Sequence, residues 1–278
     1  MNPLNLTIPG FTIACKIWGK PENPPVIALH GWLDNANSFD FLADYLQEHY
    51  YFIAIDLPGH GHSSHLPAGS NYHFIDGVIS IIHILDALQL DKVHLLGHSM
   101  GACLASLAGG VAPERFLSLA LIEGLGPFSA PEETACAQLA AYMKSMQKLP
   151  QKSKKYTLLD AAGARASKGY VSLDIAKKLS ERGVREDEGM YSWRHDSRLL
   201  IPTPLYMTEN QILSCLKEIT AKTSLFWASK GFAFDSKLMQ GRIDSVKDLK
   251  IHQLEGGHHV HMEKPEVLSK LLIDFFGH

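Results

Sequence analysis

Gly97-His98-Ser99-Met100-Gly101 stands between the apolar run Val93 to Leu96 and the run Ala102 to Ala108, so a G-x-S-x-G pentapeptide falls at a strand-to-helix junction. That context makes Ser99 a candidate nucleophile. Glycines on either side leave room for a tight, strained turn that lifts the hydroxyl above the sheet. The backbone N–H of Met100, at the mouth of the following helix, then lies where backbone dipoles favour a developing oxyanion. Gly-x-Ser-x-Gly also reads as an ordinary flexible turn, so the assignment depends on finding the rest of an acyl-transfer site.

A serine nucleophile needs a base to take its proton, and histidine suits because its pKa lies near working pH. Among fifteen histidines, local setting singles out Gly256-Gly257-His258-His259-Val260-His261, a loop between the last strand and the last helix. Loops leaving the carboxyl ends of parallel strands converge on one edge of the sheet, where Ser99 also lies. His258, directly after the glycines, is the expected base, with His259 and His261 next. A metal site is not expected from these three histidines: they lack an i, i+4 helical pair, and no carboxylate or cysteine partner stands out.

The elements that must position these residues are legible as alternation. Pro25 to Leu29, Tyr51 to Ile55, Val93 to Leu96 and Leu117 to Ile122 read as buried strands; Ser38 to His49, Tyr72 to Leu90 and Ala102 to Val111 read as helices. This is the pattern of βαβ units on a parallel sheet. In Tyr72 to Leu90, Ile75, Val78, Ile79, Ile82, Leu85 and Leu88 predict one face packed on the sheet. The segment 124–204, bounded by Gly126-Pro127 and Ile201-Pro202-Thr203-Pro204, reads as helical and charged with no convincing strand. It is expected to be a helical cap inserted into a core of residues 1–123 and 205–278. Strands resume at Ser224 to Ala228 and Lys250 to Leu254, separated by a helix over Ser236 to Leu249, and Glu266 to Phe276 closes the chain as an amphipathic helix.

Cys15, Cys103, Cys136 and Cys215 are scattered without a C-x-x-C pair, which disfavours a zinc cluster and a disulfide framework. No apolar stretch reaches bilayer-spanning length and the N-terminus has no signal-peptide pattern, so a soluble, cytoplasmic protein is expected. A formal charge of −3 offers no case for nucleic-acid binding. That total hides an asymmetry: Lys144 to Arg198 holds thirteen Lys or Arg against seven Asp or Glu, a surplus of six, which leaves −9 for the rest. A solvated helical surface accounts for most of it; a basic cap over an acidic core could also steer anionic substrates.

Four motifs in order carry a family resemblance: His30-Gly31-Trp32, Asp56-Leu57-Pro58-Gly59-His60-Gly61-His62-Ser63, the pentapeptide at Ser99, and Gly257-His258 with Glu263-Lys264-Pro265. The sequence resembles the α/β-hydrolase superfamily along nearly its whole length. Within it, His30 to Asp40 and Gly231 to Ser236 are similar to the serine hydrolase-like proteins. The resemblance implies an α/β fold with a mostly parallel sheet. It also implies that Trp32 N–H is the second oxyanion donor beside Met100, and that the Trp32 indole lines the acyl pocket. For Asp56 to Ser63 the reading is a Pro/Gly turn whose histidines take no part in catalysis.

In the superfamily the triad acid commonly follows the strand after the cap, but Ser224 to Phe232 has no carboxylate there. Asp235 comes slightly later. The alternative placement, after the strand that follows the nucleophile helix, is occupied by Glu123, a carboxylate closing an apolar run. Glu123 is therefore the expected acid and Asp235 its alternative; the bland reading of Glu123 is a solvated strand end or a salt bridge into the cap. The implied function is a cofactor-independent serine hydrolase acting on small-molecule carboxylic esters or thioesters through an acyl-enzyme. The alternative from a different class is a small-molecule receptor or signalling protein that keeps the fold with slow or no turnover.

Overall fold

The computed structural model describes residues 2–149, 154–169 and 171–277. Asn2–Ile8 (β1) and Phe11–Trp18 (β2) form an antiparallel hairpin around the Pro9-Gly10 turn, a pair absent from the sequence reading. Then follow Pro25–Leu29 (β3), Asp40–Leu46 (α1), Tyr51–Ile55 (β4), Phe74–Ala87 (α2), Val93–His98 (β5), Met100–Val111 (α3) and Phe116–Ile122 (β6). Segment 124–204 contributes Ala135–Met146 (α4), Leu158–Gly169 (α5), Leu173–Gly183 (α6), Val184–Asp187 (β7) and Met190–Trp193 (β8). The chain ends with Glu209–Lys217 (α7), Lys222–Lys230 (β9), Ser236–Ser245 (α8), Leu249–Gly257 (β10), Val260–Glu263 (α9) and Pro265–Phe276 (α10).

The eight-stranded sheet has the order β1-β2-β4-β3-β5-β6-β9-β10 and is parallel from β4 to β10. Alternation along each strand supplies both faces. Ile27, Leu29, Ile53, Ile55 and Leu95 pack in one apolar cluster with residues of α2, α3 and α7. Val26, Ala28, Phe52, Ala54 and Leu96 pack in the other with residues of α1 and α10. Burial on both faces is why these strands read as continuous apolar runs.

Several sequence expectations change. In α2 Val78 and Leu85 are buried and Ile82 and Leu88 pack against the same cluster as the three-to-four spacing suggested, but Ile75 and Ile79 are exposed and Ile81 and Ile84 are buried in their stead. Segment 124–204 does contain strands, since β7 and β8 pair as a short antiparallel hairpin with Glu188-Gly189 at its tip. Their charged residues, Arg185, Glu186 and Asp187, mask any apolar alternation because the hairpin is mostly solvated. The helix expected to reach Leu249 stops at Ser245, and Leu249 starts β10. Lys152, counted among the basic residues of this segment, lies outside the described residues.

Candidate active site

Ser99 sits between β5 and α3 with φ 52° and ψ −116°, a left-handed backbone that strains a non-glycine residue. Its N–H donates to Ile122 O (2.8 Å), and its carbonyl accepts the first turn of α3 from Cys103 N–H (3.0 Å). At Gly101 a Cβ would overlap the Leu29 carbonyl, so only glycine lets α3 start directly against the end of β3. That contact brings Met100, the first residue of α3, beside the strand end from which His30-Gly31-Trp32 departs. The N–H of a first helical residue has no intrahelical acceptor. Trp32 lies in a turn closed by Asp34 N–H to Gly31 O (3.1 Å), with Leu33 at φ 60°. His30 steadies this turn, its Nδ1–H donating to Gly31 O (2.7 Å) while Nε2 accepts from Leu57 N–H (3.0 Å).

The structure brings Ser99, His258 and Glu123 together. Glu123 Oε2 lies 3.0 Å from His258 Nδ1, and His258 Nε2 lies 2.9 Å from Ser99 Oγ. A carboxylate only accepts, so Nδ1 carries the proton and Nε2 is left as the acceptor facing the serine hydroxyl. The Glu123 side chain is fully buried. Its charge is met by Ala228 N–H on Oε1 (2.6 Å) and Phe232 N–H on Oε2 (2.9 Å), both from the end of β9 and the loop after it. Gly231 makes this reach possible, because a Cβ there would collide with the carboxylate. Glu123 also takes a left-handed φ of 56°, turning its side chain across the end of β9. Asp235 is placed differently: exposed, it accepts from Lys237 and Leu238 N–H (both 2.9 Å) as the N-cap of α8.

Around the serine the surface is apolar and aromatic. Phe232 packs 5.9 Å from the His258 ring and 5.9 Å from Phe128, and Phe128 is 65% exposed. Trp32 is 51% exposed and its indole N–H donates to Leu199 O (3.0 Å) of segment 124–204. His259 and His261 point elsewhere than at the serine. His259 Nε2–H donates to Asp34 Oδ2 (3.0 Å), and His261 Nε2 meets Ser38 Oγ (2.8 Å).

Sequence reasoning missed the polar layer beneath the site. Asp34, His98 and His259 are buried with ligand-type atoms within 4.8 Å of one another, the spacing a metal ion could use. The Arg165 guanidinium already occupies the Asp34 carboxylate, so a divalent ion would have to displace an ion pair. Burial opposes ionisation of Asp34, but Arg165 and the facing histidines hold its carboxyl well below the usual carboxylate range. His98 is held well below the ordinary imidazole value, by burial first and then by His261, His259 and His258. Asp56, read as part of an ordinary turn, is a second buried hub: it accepts from Ala36 N–H (2.8 Å), His62 N–H (2.7 Å) and Arg182 Nε (2.8 Å). Arg165 and Arg182 lie more than a hundred positions from their partners, and nothing local in the sequence marks them.

A family model for the α/β hydrolase fold matches residues 24–265. A serine hydrolase-like protein of Dictyostelium discoideum is 32% identical over 288 residues, covering 96% of this chain and 79% of that protein. Among solved structures, a hypothetical protein of Pseudomonas aeruginosa PAO1 is similar with TM-score 0.93 and 34% identity, covering 99% of this chain and 98% of that one. The thioesterase domain from the curacin biosynthetic pathway superposes with TM-score 0.86 and 27% identity, covering 99% of both chains. The chain belongs to the α/β-hydrolase fold family and, within it, to the serine hydrolase-like proteins. It is a hydrolase by family. No helix among the described residues is long and apolar enough to cross a membrane.

Proposed function

We propose that this hydrolase cleaves carboxylic ester or thioester bonds through an acyl-enzyme. The observation that carries the reading is the continuous chain Ser99 Oγ, His258 Nε2, His258 Nδ1, Glu123 Oε2, with links of 2.9 and 3.0 Å. His258 takes the serine proton as Oγ attacks the carbonyl, and Glu123 holds the ring in the required tautomer and stabilises the imidazolium. The N–H groups of Met100 and Trp32 receive the oxyanion. Collapse expels the alcohol or thiol, protonated by His258, and the same histidine then activates water to release the acid. Segment 124–204 acts as the cap, and exposed Trp32, Phe128 and Phe232 suit an apolar acyl group. The thioesterase named among the similar structures fits this reaction class.

Fluorophosphonate labelling, followed by turnover of acyl esters and thioesters of graded chain length, tests the reading. Labelling of wild type, none in Ser99→Ala, and turnover of at least one ester class are expected. Labelling with no turnover of any substrate would instead support a receptor that has kept the fold.

A further inference from the structure

The loop that carries His258 is intrinsically soft, because Gly256 and Gly257 precede it and Gly256 sits at φ 156°. Acyl transfer nevertheless demands that the base stay within a fraction of an ångström of the serine hydroxyl. Besides the bonds of His258 to Glu123 and of His261 to Ser38, three contacts hold the loop. Gly257 N–H donates to Glu263 Oε2 (2.7 Å), which is local to the loop. The other two come from the buried layer beneath it: His98 Nε2–H donates to the His258 carbonyl (2.8 Å), and His259 Nε2–H donates to Asp34 Oδ2 (3.0 Å). His98 Nδ1 lies 3.8 Å from that same Asp34 oxygen and has no hydrogen-bond partner.

His98 is the neighbour of Ser99, and His259 is the neighbour of His258. Asp34 therefore bonds directly to the residue beside the base, while the ring beside the nucleophile reaches the same loop through the His258 carbonyl. It also stands two residues after Trp32, in the turn that presents the Trp32 N–H. The opposite oxygen, Oδ1, is bound by Arg165 of α5, across 131 positions of chain. Asp34 is about 1% exposed at its side chain and Arg165 15%, so the pair is shielded from solvent. Removing one partner of such a pair leaves an uncompensated buried charge.

We propose that Asp34 and Arg165 form a strut that positions the triad, so that seating of α5 on the core and the alignment of His258 with Ser99 are coupled. Both are positioning residues, acting through His259. The proposal rests on the reading of Ser99, His258 and Glu123 as the reacting groups. With α5 seated, Arg165 neutralises Asp34, and Asp34 in turn holds His259. With α5 displaced, the carboxylate loses its counter-charge, and the glycine-rich loop loses the anchor at His259 while keeping its ties at Glu263, Ser38 and Glu123.

The test compares Arg165→Met, Asp34→Asn, the double variant, Arg165→Lys and a control, Lys155→Met, which removes an exposed ion pair of the same segment. Three quantities are read on folded protein: kcat and KM on a p-nitrophenyl ester, the fluorophosphonate labelling rate at Ser99, and the low-field proton NMR signal of His258 Nδ1–H. Arg165→Met is expected to lower kcat and the labelling rate together by about ten- to a hundredfold at unchanged KM, and to shift or broaden the His258 signal. Arg165→Lys should restore part of the rate, and the double variant should be no worse than Asp34→Asn alone, because both cut one chain of contacts. Lys155→Met should change nothing. Unchanged kcat, labelling and NMR signal in Arg165→Met, or losses that multiply in the double variant, would overturn the strut. If wild type neither labels nor turns over any ester, it is the acyl-transfer reading that fails, while the NMR comparison still reports whether the strut holds the histidine.

Discussion

In the central sheet Val26, Ala28, Phe52, Ala54, Leu96 and Ile122 are fully buried, whereas in α4 only Tyr142 is buried and Leu139 and Met143 stand in solvent. The two regions are joined by different physics. The sheet is held by non-directional apolar burial on both faces. Segment 124–204 is fastened by directional polar contacts to the core: Arg165 to Asp34, Lys178 to Asp40 (2.8 Å), Arg182 to Asp56, Asn35 to Leu179 O (2.9 Å) and Asn37 to Lys178 O (3.0 Å). The basic surplus of the segment and the acidic surplus of the core thus meet partly as fasteners. The anchoring carboxylates lie in the core, Asp34 and Asp40 close along the chain to Trp32 and Asp56 directly after β4.

The comparison can be broken most sharply at the proposed triad, which belongs to the sheet side. Glu123→Gln should lower kcat by about 10⁴, since the amide cannot hold the same tautomer, with little change in Tm. Asp235→Asn should leave kcat intact, because asparagine caps a helix as well as aspartate. The reverse ranking in a steady-state assay would remove Glu123 from the mechanism.

Next in size are two stability variants of similar cost but different kind. Phe226→Ala, inside the sheet core, should cost about 3–5 kcal/mol by cavity formation. Arg182→Met should also cost about 3–5 kcal/mol, by leaving the fully buried Asp56 unpaired. Adding Asp56→Asn to Arg182→Met should recover part of that loss, whereas no second change at the partner of Phe226 would be expected to; urea unfolding curves distinguish the two.

Buried histidines make a further difference between the regions and solvent. His60 is pushed down to about 3, by burial first and then by His30, and His94 to about 4, by burial and then Lys222. In the unfolded chain an imidazole titrates near about 6.5, so between that value and the folded one the unfolded state binds the extra proton. Stability from these groups is full above about pH 6.5 and falls as pH drops toward about 4, by roughly 1.4 kcal/mol per pH unit for each histidine. Tm measured from pH 7 to 5 should fall, less steeply in His94→Gln; a flat profile would contradict the neutral, buried assignment.

The smallest effect expected is at α8, where Asp235→Ala should cost about 1 kcal/mol through loss of the helix cap and leave turnover unchanged.

What the chain revealed unaided was local. Ser99 was marked by glycines at two-residue spacing, the strands by runs buried on both faces, and His258 by glycines at a strand end, because each signal depends on neighbours along the backbone. The same locality explains the misses: the packed face of α2 depends on what lies opposite it, and β7 and β8 carry charges because solvent covers them. Glu123 could be noticed as a carboxylate closing an apolar strand. Its meeting with His258 depended on Gly231 and the N–H groups of Ala228 and Phe232, which arrive from another strand. Asp34, Asp56, Arg165 and Arg182 had no readable signal, since a charge acquires its partner only when distant segments fold against each other and water is excluded between them. Backbone pattern determined the fold and the place of Ser99; tertiary packing decided which carboxylate faces His258 and which cations fasten segment 124–204.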